Sequence, residues 1–235
     1  YLLTRSDRPP FDRPEARHAL SEAIDRESIV KYLLAGKAQP AKWLVPDGHW
    51  AAPKNLKPLV FAPALARTVL SRMPAVTLLT STDRSRVVQA RAVAQMLTES
   101  GLRTQVVPLE LGLLLARLDA GQFTLAILQI PELTEPNVLS WFFHPRGIAT
   151  DSELPVLGKN RAHYRSPEAA RLLDTASASF DPEERRALYV QFAARMLEDM
   201  PVIPLWHEDH ITLTRGRGAR FAPSAEGRWS SLAEL

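Results

Sequence analysis

The sequence predicts an α/β fold in which a mainly parallel β-sheet is covered by helices. In the middle of the chain, three strand-like segments alternate with two helix-like segments, and each helix-like segment is closed by a glycine. Because a helix between two strands provides the crossover that a parallel pair needs, this β-α-β-α-β order is typical of a parallel sheet. The segments are residues 76–80, 85–99, 104–107, 111–120 and 123–130, with Gly101 and Gly121 as the closing glycines.

Two short helices are predicted before the sheet. Asp12 and Glu15 have the spacing of a capping box, which predicts where the first helix begins. Asp25 is placed to cap the second helix, and Gly36 is a natural stop where a left-handed residue is needed. The apolar positions that repeat with helical period are Ala16, Ala19, Leu20, Ala23, Ile24, Ile29, Leu33 and Leu34.

The remaining segments are assigned from the positions of prolines, from helix-capping residues and from the spacing of apolar residues. Residues 39–58 are rich in proline and polar residues, and Trp43 and Trp50 predict an ordered surface loop held by aromatic packing. Asp181 and Pro182 combine an N-cap with a proline at the first helical position, which predicts a long helix that ends before Pro201. Further helices are predicted over residues 61–70, 136–143 and 167–177, strands over 202–206 and 211–214, and a loop over 151–160.

Composition narrows the classes of function. The chain has 235 residues, of which 46% are hydrophobic and 23% charged, as in an ordinary soluble globular protein. Its 29 basic residues outnumber its 26 acidic ones by only three. This excess is too small to indicate a nucleic-acid-binding surface. The lack of cysteine excludes a disulfide scaffold, a thiolate metal site and cysteine catalysis. No apolar run approaches the roughly 20 residues that span a bilayer. Because the chain opens at Tyr1 without a methionine or a signal peptide, we expect a segment of a longer protein.

Four runs of residues follow one another in an order that points to one family. They are Pro9, Pro10, Phe11, Asp12, Arg17, Ala19, Leu20, Ala23, Ile24, Asp25, Arg26, Glu27, Ile29 and Val30; then Gln122, Phe123 and residues 124–127; then Asn160, Tyr164, Ser166, Pro167, Glu168, Leu172, Leu173 and Ala176; and finally Asp181, Glu184, Arg185, Leu188, Tyr189, Leu197, Asp199, Pro201, Ile203, Pro204 and Leu205. Together they cover most of the chain, which resembles the second lobe of a family 5 extracellular solute-binding protein of the dipeptide, oligopeptide and nickel type.

The resemblance implies one lobe of a two-lobed clamp, like other periplasmic binding proteins, that closes on a solute and delivers it to a membrane ABC permease. Residues 1–210 are then the C-terminal ligand-binding lobe, and residues 211–235 are a tail that returns toward the missing N-terminal lobe. The crossovers between lobes are expected near residues 1–5 and 204–210, at the ends of elements that can absorb backbone rotation. The implied ligand is a peptide or a similarly polar small molecule.

The resemblance also implies a periplasmic or extracellular location, with anchoring to a membrane through an absent N-terminus left open. Because the sequence shows no glycine-rich phosphate cradle, nucleophile elbow or paired-carboxylate motif, we expect no cofactor and no enzymatic activity. We also expect no metal site and no contact of this segment with nucleic acid. Arg215, Arg217 and Arg220 form one basic cluster, but without interleaved aromatic residues such a cluster is typical of a solvated turn.

Candidate site residues follow from the resemblance and from its departures. Peptide-binding members tend to have tryptophan at the position of Gln129, and at the position of Glu132 an aspartate that pairs with the free amino group of the ligand. In the dipeptide-binding branch, an arginine near the turn after the first predicted sheet strand binds the ligand carboxylate, which indicates Arg84 or Arg86. Trp141 is a further candidate for the pocket. Two other departures are Arg5, where asparagine is common, and Ala170, where aspartate is common.

Two further patterns, a pair of histidines and a run of three aromatic residues, resemble functional sites. His207 and His210 are three residues apart beside a predicted strand, where alternation sends side chains to opposite faces, so the spacing disfavours a metal site. Trp141, Phe142 and Phe143 cannot all lie on one helix face, so at least two of them are expected in the core.

Three classes of function are compared. The first is the solute-binding component of an ABC importer, and the alternative is the ligand-sensing module of a transcription regulator, in which a DNA-binding segment precedes a similar domain. A secretion signal or lipoprotein cysteine upstream of Tyr1 indicates the importer, whereas a helix-turn-helix pattern indicates the regulator. The third class, a hydrolase, needs a catalytic triad or nucleophile elbow that the sequence does not show.

Overall fold

The computed structural model describes residues 1–130, 133, 135–148, 158–209, 211, 213 and 215. Its strands are β1 (Leu2–Thr4), β2 (Ala38–Pro40), β3 (Val76–Ser81), β4 (Thr104–Leu109), β5 (Leu125–Ile127), β6 (Val202–Ile203) and β7 (Trp206–Glu208). Its helices are α1 (Pro14–Glu22), α2 (Arg26–Ser28), α3 (Pro63–Leu70), α4 (Arg84–Glu99), α5 (Leu111–Asp119), α6 (Val138–Phe143), α7 (Pro167–Ala178) and α8 (Pro182–Asp199), with a π-helical turn at Ile29–Leu33 and a 3₁₀ turn at Pro145–Gly147.

The sheet confirms the predicted α/β class. Within the described part of the chain it has the strand order β4-β3-β5-β1-β6. Strand β3 pairs in parallel with both β4 and β5, and β1 pairs antiparallel with both β5 and β6. The sheet is therefore mixed but mostly parallel, with β1 reversed between two neighbours. Strands β2 and β7 form a separate antiparallel pair.

The core lies on both faces of this sheet. Neighbouring residues on a strand pack into different clusters: Leu78 of β3 packs with α1, α3 and α4, whereas Leu79 packs with α5, α6, α7 and α8. In β1, Leu2 likewise packs into the first of these clusters and Leu3 into the second. A sheet covered on both faces needs apolar side chains at successive positions, which explains the nearly continuous apolar strands of the sequence. No helix of the described residues is long and apolar enough to cross a membrane.

Several strands differ from the prediction. The single strand predicted over residues 202–206 is divided into β6 (Val202–Ile203) and β7, which begins at Trp206. Strand β1 is not predicted, because three residues are too few to show an alternating pattern, although all three are buried in the middle of the sheet. Strand β5 has three residues, Leu125–Ile127, instead of the eight residues 123–130. The predicted strand over residues 211–214 falls partly outside the described residues, and Ile211 and Leu213, which are described, belong to no strand. Most of the predicted loop over residues 151–160 also lies outside the described residues.

Helix starts follow the predicted caps with one exception. The side chain of Asp25 accepts a hydrogen bond from the backbone nitrogen of Ser28 at 3.0 Å, and Asp181 caps α8. The capping box predicted from Asp12 and Glu15 is wrong, because α1 begins at Pro14 and its N-cap residue, Arg13, makes no side-chain cap. Proline at the first helical position already has a helical φ and lacks the orphan N–H, so it sets the start of α1 instead.

The predicted loop over residues 39–58 is held by its tryptophans, although residues 39 and 40 belong to β2. Trp43 is buried in the core and meets Phe192 edge-on at 6.2 Å between ring centroids. Trp50 is 38% exposed, meets Tyr189 edge-on and has the guanidinium of Arg185 over its ring at 5.1 Å.

Candidate functional site

The carboxyl ends of β3, β4 and β5 meet at one edge of the sheet because these strands are parallel neighbours. In open α/β sheets, ligands bind just beyond such ends. Helix α4 begins at Arg84, soon after β3 ends at Ser81. Gln129 lies two residues beyond the end of β5. The topology therefore places the first turn of α4 beside the segment that follows β5.

Arg86 and Gln129, both predicted as site residues, contact each other at this edge. Asp83 caps α4 and accepts a hydrogen bond from the backbone nitrogen of Arg86 at 3.0 Å, which fixes the start of the helix. The Nη2 atom of Arg86 donates to Oε1 of Gln129. Its Nη1 atom donates to Oε1 of Gln89, one helical turn further on, at 3.2 Å.

Glu208 of β7 completes the arrangement. Its Oε1 atom accepts hydrogen bonds from Nη1 of Arg86 at 3.2 Å, from Nε2 of Gln89 at 3.1 Å and from Nε1 of Trp206 at 3.3 Å. We call Arg86, Gln89, Gln129, Trp206 and Glu208 the edge cluster. It joins three separate parts of the chain, namely α4, the segment after β5 and the strand β7.

The edge cluster keeps hydrogen-bonding capacity for a ligand. A guanidinium has five N–H donors, and three of those of Arg86 are directed at Gln89, Glu208 and Gln129. The Nε hydrogen and one Nη2 hydrogen therefore have no partner among the described residues. Within the same part of the chain, Oε2 of Glu208 accepts no hydrogen bond. The side chain of Arg86 is 24% exposed and that of Glu208 is 40% exposed, so a solute can reach both.

Three members of the edge cluster escaped the sequence analysis. Gln89 lies one turn after Arg86 on α4, a spacing that places two side chains on one helix face. Trp206 and Glu208 lie two residues apart on a strand, so alternation puts both on one face, away from His207. The same alternation that separates the two histidines places Trp206 and Glu208 together. It could have identified Glu208 as a carboxylate beside an expected crossover.

The other predicted site residues lie outside this network. Arg84 is exposed at the start of α4 and takes no part in the hydrogen bonds of the edge cluster. Trp141 lies on α6 with 49% of its surface exposed. Phe143 is buried in the core and Phe142 is partly buried against it, which confirms that two of these three aromatic residues serve in packing. Glu132 lies outside the described residues.

His207 has a structural partner. Its Nε2 atom lies 2.9 Å from the carbonyl oxygen of Trp43, which can only accept, so Nε2 is the protonated ring nitrogen. Burial lowers the pKa of His207 below its ordinary value, which keeps the ring neutral at pH 7. Among the described residues, no group of three or more histidine, aspartate or glutamate side chains could hold a metal ion. His210 lies outside them.

A cavity of about 320 Å³ lies elsewhere, at the amino ends of the parallel strands. Its wall includes Arg5, Arg8, Thr77, Gln122 and Thr124. The guanidinium of Arg5 is already bound by both carboxylate oxygens of Asp7, at 2.9 and 2.8 Å. The edge cluster is the better candidate, because it lies at the carboxyl ends of the strands and, in the part of the chain that the structure describes, keeps donors and an acceptor without a partner.

Comparison with known proteins gives consistent results. The family described as "Bacterial extracellular solute-binding proteins, family 5 Middle" matches residues 1–150, more than half of the chain. The glutathione-binding protein GsiB of Escherichia coli (strain K12) is 28% identical over 214 residues, which cover 87% of this chain and 41% of that protein.

Two solved structures share the fold. The periplasmic binding protein DppA from Helicobacter pylori, in complex with the peptide STSA, matches with a TM-score of 0.78 and 23% identity over 88% of this chain and 41% of that chain. The oligopeptide-binding protein AppA from Bacillus subtilis, in complex with a nonapeptide, matches with a TM-score of 0.79 and 22% identity over 88% and 44%. The chain thus spans less than half the length of these relatives.

Proposed function

Because the chain belongs to the bacterial extracellular solute-binding proteins of family 5, we propose that it is one lobe of a binding protein that delivers a peptide or a similarly polar small solute to an ABC importer. The edge cluster is the observation that carries this proposal. It lies where α/β sheets bind ligands, and it is accessible. Among the described residues, two hydrogens of its arginine and one oxygen of the neighbouring carboxylate have no hydrogen-bond partner.

The proposed arrangement within the whole protein rests on membership of the family, and the positions of β1 and β7 support it. In this proposal, residues 1–210 belong to the C-terminal lobe, and residues 211–235 are assigned to the tail that leads toward the N-terminal lobe. Strand β1 begins beside the end of β5, where the backbone nitrogen of Leu128 donates to the carbonyl oxygen of Tyr1 at 3.0 Å, and β7 carries Glu208 of the edge cluster. Both expected crossovers therefore flank the edge cluster, which supports a site that faces the other lobe.

In the proposed complex, Arg86 binds a carboxylate of the solute through its remaining Nε and Nη2 hydrogens. A guanidinium matches a carboxylate with two parallel hydrogen bonds, so this contact orients the solute as well as attracting it. Gln129 holds Arg86 in place and offers its own amide to the solute. Arg84, Trp141 and Glu132 remain candidates for further contacts with the solute.

The proposed partners are the N-terminal lobe, the peptide or polar solute, and an ABC permease, at a periplasmic or extracellular location. The relatives named for glutathione and for peptides make these two kinds of solute the first to test. Strong burial by both lobes gives such sites their affinity, because a half-site leaves the ligand in contact with water.

A binding screen on the full-length protein that contains this chain tests the proposal. We expect glutathione, trialanine or the peptide STSA to bind with a Kd at or below about 10 μM and to raise the melting temperature by mass action. Free alanine serves as the control for nonspecific stabilisation. Absence of binding by every peptide at millimolar concentration would contradict the proposed class of solute.

A further inference from the structure

We propose that Glu208 is a ligand-binding residue that accepts the ammonium group of a zwitterionic solute through its Oε2 atom, beside Arg86. This assignment rests on the proposed solute-binding function and deepens it, because it states the chemical class of the solute. It also identifies a carboxylate of the site on β7.

The geometry fixes one oxygen of Glu208 and leaves the other available. Arg86, Gln89 and Trp206 all donate to Oε1, at distances between 3.1 and 3.3 Å. Two of these donors come from α4 and the third from β7, so the carboxylate is held from two elements. Among the described residues nothing donates to Oε2. A carboxylate whose orientation is set before binding loses little conformational entropy when a ligand arrives.

The charges of the pair favour a zwitterion over an anion. Arg86 by itself attracts any carboxylate, but Glu208 lies 3.2 Å from it and balances its charge. A purely anionic solute that approaches Arg86 therefore meets the like charge of Glu208 at short range. A solute with an ammonium as well as a carboxylate finds an opposite charge for each group.

A purely structural ion pair is the competing explanation. Exposed ion pairs contribute on average only about 0–1 kcal/mol to stability, and this pair is partly exposed on both sides. A structural role also gives no reason for three donors to converge on Oε1 while Oε2 has no partner in the described part of the chain. The two explanations differ in one respect: only the ligand-binding role makes recognition of an ammonium depend on the charge of Glu208.

The test uses the variant Glu208→Gln in the full-length protein. The amide oxygen of glutamine can still accept from Arg86, Gln89 and Trp206, so the network is kept while the negative charge at Oε2 is lost. Asp209→Asn is the matched control, because Asp209 is the next acidic residue, is exposed and is not part of the edge cluster. The probes are two pairs, glutathione with its N-acetylated form and trialanine with N-acetyltrialanine.

We expect the wild-type protein to prefer the free-ammonium member of at least one pair by about tenfold or more, as a charge-assisted hydrogen bond provides. Glu208→Gln should reduce this preference to about twofold or less, mainly by weakening the free-ammonium probe. Asp209→Asn should keep the wild-type preference.

The outcomes separate this inference from the proposed function. If the wild-type protein binds neither pair of probes, the peptide proposal fails and the assignment of Glu208 fails with it. If the wild-type protein binds the probes but shows no preference for the free ammonium, only the assignment of Glu208 is overturned. Retention of the full preference by Glu208→Gln overturns it as well. The wild-type comparison requires no variant, so the inference stays testable even if Glu208→Gln folds poorly.

Discussion

The guanidinium of Arg5 lies directly against the backbone of Gly121. Its Nη1 atom donates a hydrogen bond to the carbonyl oxygen of Gly121 at 2.7 Å, and a Cβ atom built on Gly121 would lie 2.1 Å from that nitrogen. Gly121 also has a φ of +66°, in the left-handed region that favours glycine. The turn between α5 and β5 is thus fitted to a buried arginine that reaches it from the segment after β1.

Replacement of Gly121 by alanine should destabilise the protein by about 3 kcal/mol. About 1 kcal/mol comes from the left-handed backbone, and the rest from displacing Arg5, whose donors are held by Asp7 and Gly121. Gly36→Ala is the matched control, because Gly36 has a φ of +71° with nothing within 4 Å of its added Cβ. It should cost only the backbone term of about 1 kcal/mol. Urea unfolding measures both losses, and equal losses would refute a role for the Arg5 contact.

The Arg5–Asp7 pair should make stability depend on pH below about 4. Burial by itself raises the pKa of Asp7, but the hydrogen bonds and charge of Arg5 outweigh it and hold this pKa below its ordinary value. A carboxylate with a lowered folded-state pKa stabilises the protein fully above its unfolded-state pKa, and this contribution is lost as the pH falls through the folded-state pKa.

Asp7→Asn should therefore lower the free energy of unfolding by about 3 kcal/mol at pH 7, because Arg5 is left buried without its counter-ion. The difference between wild type and variant should shrink as the pH is lowered from 4 to 2. Asp47→Asn, which breaks the more exposed pair with Lys42, should cost less than about 1 kcal/mol. A difference for Asp7→Asn that stays constant over the acidic range would show that the carboxylate is not the source of its effect.

Arg17 satisfies carbonyl groups at the end of α8. It is buried, its Nε atom donates to the carbonyl oxygen of Asp199 at 2.8 Å, and its Nη1 atom donates to that of Phe11 at 2.8 Å. A cation also interacts favourably with the C-terminal end of a helix. Arg17→Met should cost about 2 kcal/mol in thermal or urea unfolding, whereas the exposed Arg72→Met should change stability by less than about 0.5 kcal/mol. A loss for Arg17→Met as small as that of Arg72→Met would disprove the capping role.

This segment expressed alone should fold but bind solute poorly. Its two apolar clusters cover both faces of the sheet, so the fold has its own core. One half of an interlobe site leaves the ligand in contact with water, whereas the entropy lost on association is the same. The affinity of the lobe alone is therefore low. Urea unfolding should show one cooperative transition, and calorimetry should find binding much weaker than that of the full-length protein. Binding by the segment at about micromolar affinity would contradict a site shared between two lobes.

The sequence was sufficient for the parts of the fold that have a local cause. Local signals identify the strands at 76–80 and 104–107 and the helices that follow them: apolar residues at regular spacing, helix caps and a glycine after each helix. The structure contains each of these strands and helices within a few residues of its predicted bounds. Strand β1 could not be predicted in the same way, because its three residues become a strand only through pairing with β5 and β6. The start of α1 was misplaced because Pro14 decides it, and not the side chain of Asp12.

For the site, sequence reasoning identified two contacting residues and missed their partner. Arg86 and Gln129 were predicted from the resemblance, and the sheet brings them together because β3 and β5 are neighbours. Glu208 lies 122 positions from Arg86 along the chain, so only the folded topology reveals their contact. The predicted role of Glu132, which is to bind the cationic group of the ligand, stays a prediction that the variant Glu132→Gln tests.

The central claim is that a solute binds at the edge cluster through Arg86. It is tested most directly by calorimetric titration of the full-length protein and its Arg86→Met variant with the tightest-binding peptide from the screen. We expect Arg86→Met to weaken binding by at least about 30-fold, equivalent to about 2 kcal/mol, because a charged partner of the solute carboxylate is lost. Arg91→Met, an exposed change on the same helix, should alter the Kd by less than about twofold. A Kd for Arg86→Met equal to that of Arg91→Met would contradict the claim and place the solute elsewhere.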